Sequence, residues 1–181
     1  MLPVEYFKKY VTNDLLDSAA HFTNLYAVQK HIKEGSKFEC TNRKEIEDLI
    51  GIHIIMGTLK YPRINMYWNA NFKVDIIKNT MTLNRFYALR QILHFVDNMN
   101  ITNNNDKLAK VRPLYDCILK RCSELPIEKC LCVDEAMIPF KGTFSIKQYM
   151  KDKPSRWGIK VFMLCGKVVM YITFLFIKEM I

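Results

Sequence analysis

The feature that most narrows the fold is a change of hydrophobic period near Pro126. Before it, apolar residues recur at helical spacing; after it, they come in short continuous runs. A recurrence every three to four residues lines one face of a helix, whereas apolar runs of roughly four to eight residues suit buried strands. The chain should therefore be α+β, with a helical part running directly into the start of a sheet. Neither an internal repeat nor a Ser/Gly linker separates the two.

The helical part has legible punctuation. Residues 5–33 carry apolar positions at helical spacing, broken near Thr12-Asn13-Asp14, where a side chain can cap the next helix. Glu45–Leu59 sets Ile46, Leu49, Ile50, His53 and Gly57 on one stripe, with further Ile and Met broadening it. His53 is expected there as a hydrogen-bonded core histidine rather than a ligand. Pro62 ends that helix, because the residue before a proline avoids helical geometry. Thr82–Val96 repeats the pattern through Leu83, Phe86, Leu89, Arg90, Leu93 and Val96, with Thr82 as N-cap. Asn98–Asp106 is a polar loop, and Arg112–Cys122 is an amphipathic helix with Pro113 in its first turn. Beyond Pro126 the strand candidates are Cys130–Phe140, Gly158–Cys165 and Val168–Ile177.

Composition settles class and suggests a partner. With 181 residues, half of them hydrophobic, and only 6 Gly and 6 Pro, the chain can bury a core and is neither disordered nor collagenous. The net charge is +9, but residues 1–50 hold 7 basic and 8 acidic groups, while residues 51–181 hold 20 and 10. A basic body favours a polyanion, since Lys and Arg neutralise phosphates and release counterions; scattered surface lysines are the plainer alternative.

The 6 cysteines form no Cys-x-x-Cys pair, and His21, His31, His53 and His94 lack zinc-finger spacing. The N-terminus meets charge at Glu5 before any apolar run, so an intracellular protein with reduced, buried thiols is expected. Residues 161–177 are apolar but interrupted by Gly166 and Lys167, which fits two strands and a turn better than a span of about 20 residues. No membrane partner is expected, and a tail anchor is the lesser alternative.

Asp134 is the residue with the most chemistry in it. It follows Leu131-Cys132-Val133 and so should leave a strand central to the sheet. A carboxylate in such a place must be paired or bound to a metal. Hard cations such as Mg²⁺ take carboxylate and phosphate oxygens, the arrangement used by nucleases and polymerases. The alternative is that Asp134 and Glu135 pair with Lys141 or Arg156. Downstream, Lys141, Lys147, Lys151, Lys153, Arg156 and Lys160 are interleaved with Phe140, Phe144, Tyr149 and Trp157. Cations bind phosphate and aromatic faces stack on bases, or the same residues form a solvated face over a core Trp157.

Together these residues resemble the piggyBac family of transposases and the domesticated proteins derived from it. The matching runs are Thr23-Asn24-Leu25-Tyr26-Ala27-Val28-Gln29, Ile54-Ile55-Met56-Gly57, Tyr67-Trp68, Met81-Thr82-Leu83-Asn84-Arg85-Phe86 and Leu93-His94-Phe95-Val96-Asp97-Asn98. The strongest is Val133-Asp134-Glu135-Ala136-Met137-Ile138-Pro139-Phe140-Lys141-Gly142, followed by Tyr149-Met150, Lys153-Pro154 and Trp157-Gly158-Ile159-Lys160. The resemblance covers roughly residues 3–165.

It implies a helical dimerisation and DNA-binding region over residues 1–126, then the first strands of a ribonuclease H-like core over 127–181, incomplete. It also implies that Asp134 is the first of three metal-binding aspartates, working with Mg²⁺ in DNA cleavage and strand transfer. The other two lie far downstream in the family, beyond Ile181. After Asp134 the acids here are Glu135, Asp152 and Glu179, and Asp152 does not sit at a family catalytic position. Thr143 replaces a usually basic residue, and 168–181 departs from the family pattern as a frameshift or aberrant exon would make it.

The resulting expectation is a nuclear protein that binds double-stranded DNA, forms a homodimer and lacks catalysis, so that Mg²⁺ serves no function in it. Lys141, Lys153, Arg156 and Lys160 are its expected phosphate contacts, and a sheet cut after three strands predicts marginal stability. Two alternatives stand beside it: the first part of an active transposase, and a protein-interaction module that does not bind DNA.

Overall fold

The computed structural model describes residues 2–35, 38–72, 74–101, 106–166 and 170–176. Its elements are α1 (Pro3–Lys8), α2 (Asn13–Glu34), α3 (Arg43–Leu59), α4 (Asp75–Thr80), α5 (Leu83–Ile92), α6 (Arg112–Ser123), β1 (Leu131–Pro139), β2 (Lys147–Tyr149), β3 (Trp157–Gly166) and β4 (Met170–Phe176). Short 3-10 turns cover Ile64–Trp68, Ala70–Phe72 and Asn98–Asn100. Helices followed by a small antiparallel sheet make the fold α+β, as the change of period predicts.

The chain divides into two compact units, Thr12–Thr102 on its own, and Met1–Val11 together with Asn103–Ile181. The boundary expected at residue 126 does not coincide with either cut. It follows a change of secondary structure, whereas packing groups the preceding helix with the sheet: Val111 and Tyr115 join the cluster around Leu108 and Val161.

In the Thr12–Thr102 unit, side-chain caps start the long helices. Thr12 Oγ1 accepts the Leu15 amide at 3.3 Å, Asn42 Oδ1 accepts the Glu45 amide at 3.0 Å, and Thr82 Oγ1 accepts the Arg85 amide at 3.3 Å. Gly35 closes α2 in the left-handed conformation that glycine adopts at no steric cost. Lys60 closes α3 in the same region, at φ 53°, two residues before Pro62. The core gathers Leu49, Ile52, Tyr67, Ile77, Met81, Phe86 and Leu89. Trp68 Nε1 donates to the Met81 carbonyl at 2.7 Å, and the Tyr67 hydroxyl donates to the Met56 carbonyl at 3.0 Å. The Tyr67-Trp68 pair thereby pins its 3-10 turn to both flanks.

Two expectations about this unit need correction. α3 buries Ile46, Leu49 and Ile52, and His53 is exposed, although its Nδ1 lies 2.8 Å from the Leu49 carbonyl. The fourth helix of the pattern ends at Ile92 rather than Val96. A tertiary contact stops it: the His94 amide donates to the fully buried Thr23 hydroxyl at 3.1 Å, and Tyr26 stacks on the His94 ring at 3.8 Å.

In the sheet, β3 is central, with β1 antiparallel on one side and both β2 and β4 antiparallel on the other. The pairing of β4 with β3 bears out the strand reading for 161–166 and 170–176; no helix among the described residues is long and apolar enough to cross a membrane. Lys167 and Glu179, and with them the turn and half of the deviating tail, lie outside the described residues. Among the described residues β1 has β3 as its one strand neighbour, so the strand bearing Asp134 lies at an edge and not at the centre. Asp134 is also mid-strand, because antiparallel pairing carries β1 on from Ala136 to Pro139.

Candidate metal and nucleic-acid site

Successive strand residues point to opposite faces, so Asp134 and Glu135 part company on β1. Asp134 pairs in register with Met163 and shares its face with Val161 and Met163, part of the small core of this unit. Its own side chain lies beyond that core and is exposed, and Oδ1 accepts the Glu135 amide at 2.7 Å. Glu135, on the other face, forms an ion pair with Lys160, whose ammonium also lies 4.9 Å from the Phe162 ring centroid. The partner that the acidic pair finds is thus Lys160, and neither Lys141 nor Arg156.

This donor set does not make a Mg²⁺ site. A clamp on attacking and leaving oxygens requires several carboxylates around one point. Asp134 brings one, Glu135 faces away and is neutralised, and among the described residues no three His, Cys, Asp or Glu side chains are grouped to hold an ion.

The four expected phosphate contacts separate into two pairs. Lys153 Nζ donates to the Glu135 carbonyl at 2.9 Å, so Lys153 and Lys160 both converge on Glu135. Phe140 donates its amide to the Trp157 carbonyl at 3.2 Å. Counting back through the alternating ladder, the Glu135 carbonyl faces away from β3, along the outer edge of β1. Lys153 therefore covers part of that edge, as lysines often do on unpaired strands. Lys141 and Arg156 are exposed and carry no ion pair among the described residues.

Sequence reasoning left Lys147 out of this set. Its ammonium lies 5.3 Å from the Trp157 ring centroid and donates to the Gly142 carbonyl at 2.7 Å, tying the 142–147 loop to the hairpin of β2 and β3. Tyr149 and Trp157 are register partners with centroids 5.0 Å apart, and they remain 49% and 53% exposed. Trp157 is therefore outside the core, and it points to the Asp134 face by strand alternation. The alternating Lys147–Tyr149 pattern opposite Trp157 is the signal that could have found this pair.

The cysteines also depart from expectation. Cys122 is buried, Cys117 and Cys165 are half-buried, and Cys40, Cys130 and Cys132 are exposed. Burial pushes the Cys165 thiol up, with neighbouring Cys132 and Asp134 adding to the effect.

A family model described as Transposase IS4 matches residues 2–180. The human PiggyBac transposable element-derived protein 3 is 30% identical over 170 residues, which is 91% of this chain and 27% of that protein. The chain belongs to the piggyBac transposase family. The human PiggyBac transposable element-derived protein 2 is likewise 30% identical, over 169 residues, again 91% of this chain and 27% of that protein. The chain thus spans about a quarter of the length of these two piggyBac relatives. A cryo-EM structure of a piggyBac transposase synaptic complex with hairpin DNA superposes with a TM-score of 0.82 at 24% identity. That match covers 98% of this chain and 39% of the transposase, and it shows the shared fold.

Proposed function

We propose that this piggyBac-family chain binds double-stranded DNA through phosphate contacts and does not by itself cleave or join strands. The observation that carries the first half is the exposed cation and aromatic surface around the β2–β3 hairpin. Lys141 and Arg156 stand free of ion pairs among the described residues, beside an exposed Tyr149–Trp157 pair with Lys147 over the indole. Phosphate contacts of this kind position a protein on nucleic acid without reading sequence. Lys160 lies with Glu135 on the opposite face of the sheet and Lys153 along the outer edge of β1, so both stand apart from this surface.

The second half rests on Asp134 standing, among the described residues, as a single carboxylate on its face. We read the sheet as the opening strands of a ribonuclease H-like core and Asp134 as its first metal-binding aspartate, short of its partners. The helical residues 1–126 would serve dimerisation and DNA binding, and the protein would act in the nucleus. A second reading, the first part of an active transposase, is favoured by the outer edge of β1. A further strand pairing there would lie beside Asp134 and could set a second carboxylate next to it.

The test is titration of labelled duplex with the Lys141→Glu, Arg156→Glu double variant. Each reversed contact should weaken binding, and the pair should lose roughly tenfold or more at low salt. Unchanged affinity in a variant that keeps the wild-type circular dichroism would remove both residues from the interface. Cleavage of the duplex in Mg²⁺ by the purified chain would overturn the inactive reading.

A further inference from the structure

Lys141 and Arg156, the two uncommitted cations of the hairpin surface, leave the sheet at the same point. Lys141 follows Phe140 and Arg156 precedes Trp157, and the Phe140 amide donates to the Trp157 carbonyl at 3.2 Å. Beyond that bond the chain runs through a loop, residues 140–146, outside the strands. Lys147, the first residue of β2, closes the loop. Its amide donates to the Phe144 carbonyl at 3.0 Å, and its ammonium donates to the Gly142 carbonyl at 2.7 Å. The same ammonium lies 5.3 Å from the Trp157 ring centroid, within the roughly 6 Å at which an aromatic face attracts a cation. Gly142 and Trp157 are the sequence neighbours of Lys141 and Arg156, so one side chain touches the residue next to each cation. The loop has a firm base beneath this contact. Gly142 lies against the Phe140 ring, where an added Cβ would stand 2.8 Å from Cζ, and Phe144 and Ile146 pack on the Leu108–Val161 cluster.

We propose that Lys147 is a positioning residue for the DNA contact, an inference that rests on the DNA-binding reading given above. It fixes the spacing between Lys141 and Arg156, so that both meet phosphates of one duplex, and it makes no phosphate contact of its own. Its ammonium spends one donor on the Gly142 carbonyl, and the indole covers one side of the charge. Two contacts held beforehand in their bound arrangement lose less freedom on association than two that must be ordered by the ligand.

The experiment titrates labelled duplex with the whole chain at a series of salt concentrations. Each phosphate contact contributes about 0.9 to the slope of log affinity against log salt, so Lys141→Met should lower the slope by about that much. Lys147→Met should weaken binding roughly threefold to tenfold, the cost of ordering side chains on association, and keep the wild-type slope. In a chain already carrying Lys141→Met and Arg156→Met, adding Lys147→Met should change affinity little, because residues that act through one another are not additive. The wild type gives a readout that depends on no variant folding: the Lys147 side-chain protons should be shifted by the indole ring in NMR spectra and keep that shift when duplex is added. A slope lowered by about 0.9 in Lys147→Met, unchanged affinity, an equal loss in both backgrounds, or a ring shift that vanishes on binding would overturn the proposal. Failure of the DNA-binding reading would show separately, as wild-type binding that does not respond to salt.

Discussion

Glu45 and Arg85 form the most connected ion pair of the helical unit. Arg85 Nε and one terminal nitrogen reach the two Glu45 oxygens at 2.6 and 2.7 Å, and Thr41 donates to Glu45 at 2.7 Å. Arg85 also donates to the Glu39 and Cys40 carbonyls at 2.9 and 3.1 Å, and its guanidinium lies 5.0 Å from the Phe38 ring centroid. Hydrogen bonds from Arg85 hold the Glu45 carboxyl below the usual carboxylate range. Charged hydrogen bonds of this kind contribute about 1.5–3 kcal/mol, so Arg85→Ala should lower unfolding free energy by about that much in chemical denaturation. A depressed carboxyl stabilises the folded state above its unfolded value and loses that contribution as pH falls through the folded value. The advantage of wild type over Glu45→Gln should therefore be largest above about pH 4.5 and shrink below it, as urea midpoints at a series of pH values would show. An advantage constant with pH would mean that the pair is held by shape and not by charge.

At the scale of elements, β1 and β3 depend on one close approach. A Cβ placed on Gly158 would sit 2.2 Å from the Ile138 carbonyl oxygen and 2.7 Å from the Met137 sulfur. The sulfur can move, but the backbone can do so only by breaking register. Gly158→Ala should cost about 1–3 kcal/mol, the usual range for overpacking, and thermal unfolding should fall accordingly; an unchanged midpoint would mean that the strands accommodate it. These strands were legible because each is a largely apolar run, broken by Asp134-Glu135 in β1 and by Lys160 in β3, with turn residues around it. β2 was not, since three residues carry no usable period. The end of α5 was hidden too, because Thr23 and His94 meet across 71 positions of sequence. The same limit applies to the site. The identity of Asp134 could be read from its run of neighbours, but its edge position depends on which strands pair. Likewise Glu135 and Lys160 come together only through register, so it could not be seen that Lys160 meets the Glu135 carboxylate while Lys153 meets its main-chain carbonyl.

At the scale of the whole molecule, charge is the property that links composition to function. The chain is +9 overall, and its excess lies entirely beyond residue 50. Lys141 and Arg156 leave part of that charge uncommitted, while Tyr149 and Trp157 offer exposed rings beside it. Since Trp157 is exposed and Trp68 is half-buried, DNA binding at the hairpin should quench tryptophan emission in wild type and far less in Trp157→Phe. The most direct test of the account is titration of the purified chain with labelled duplex at two salt concentrations. Phosphate-driven binding through about six contacts should weaken by roughly 10³ between about 50 and 200 mM salt. Affinity that does not change with salt, or no binding by a cooperatively folded chain, would contradict it.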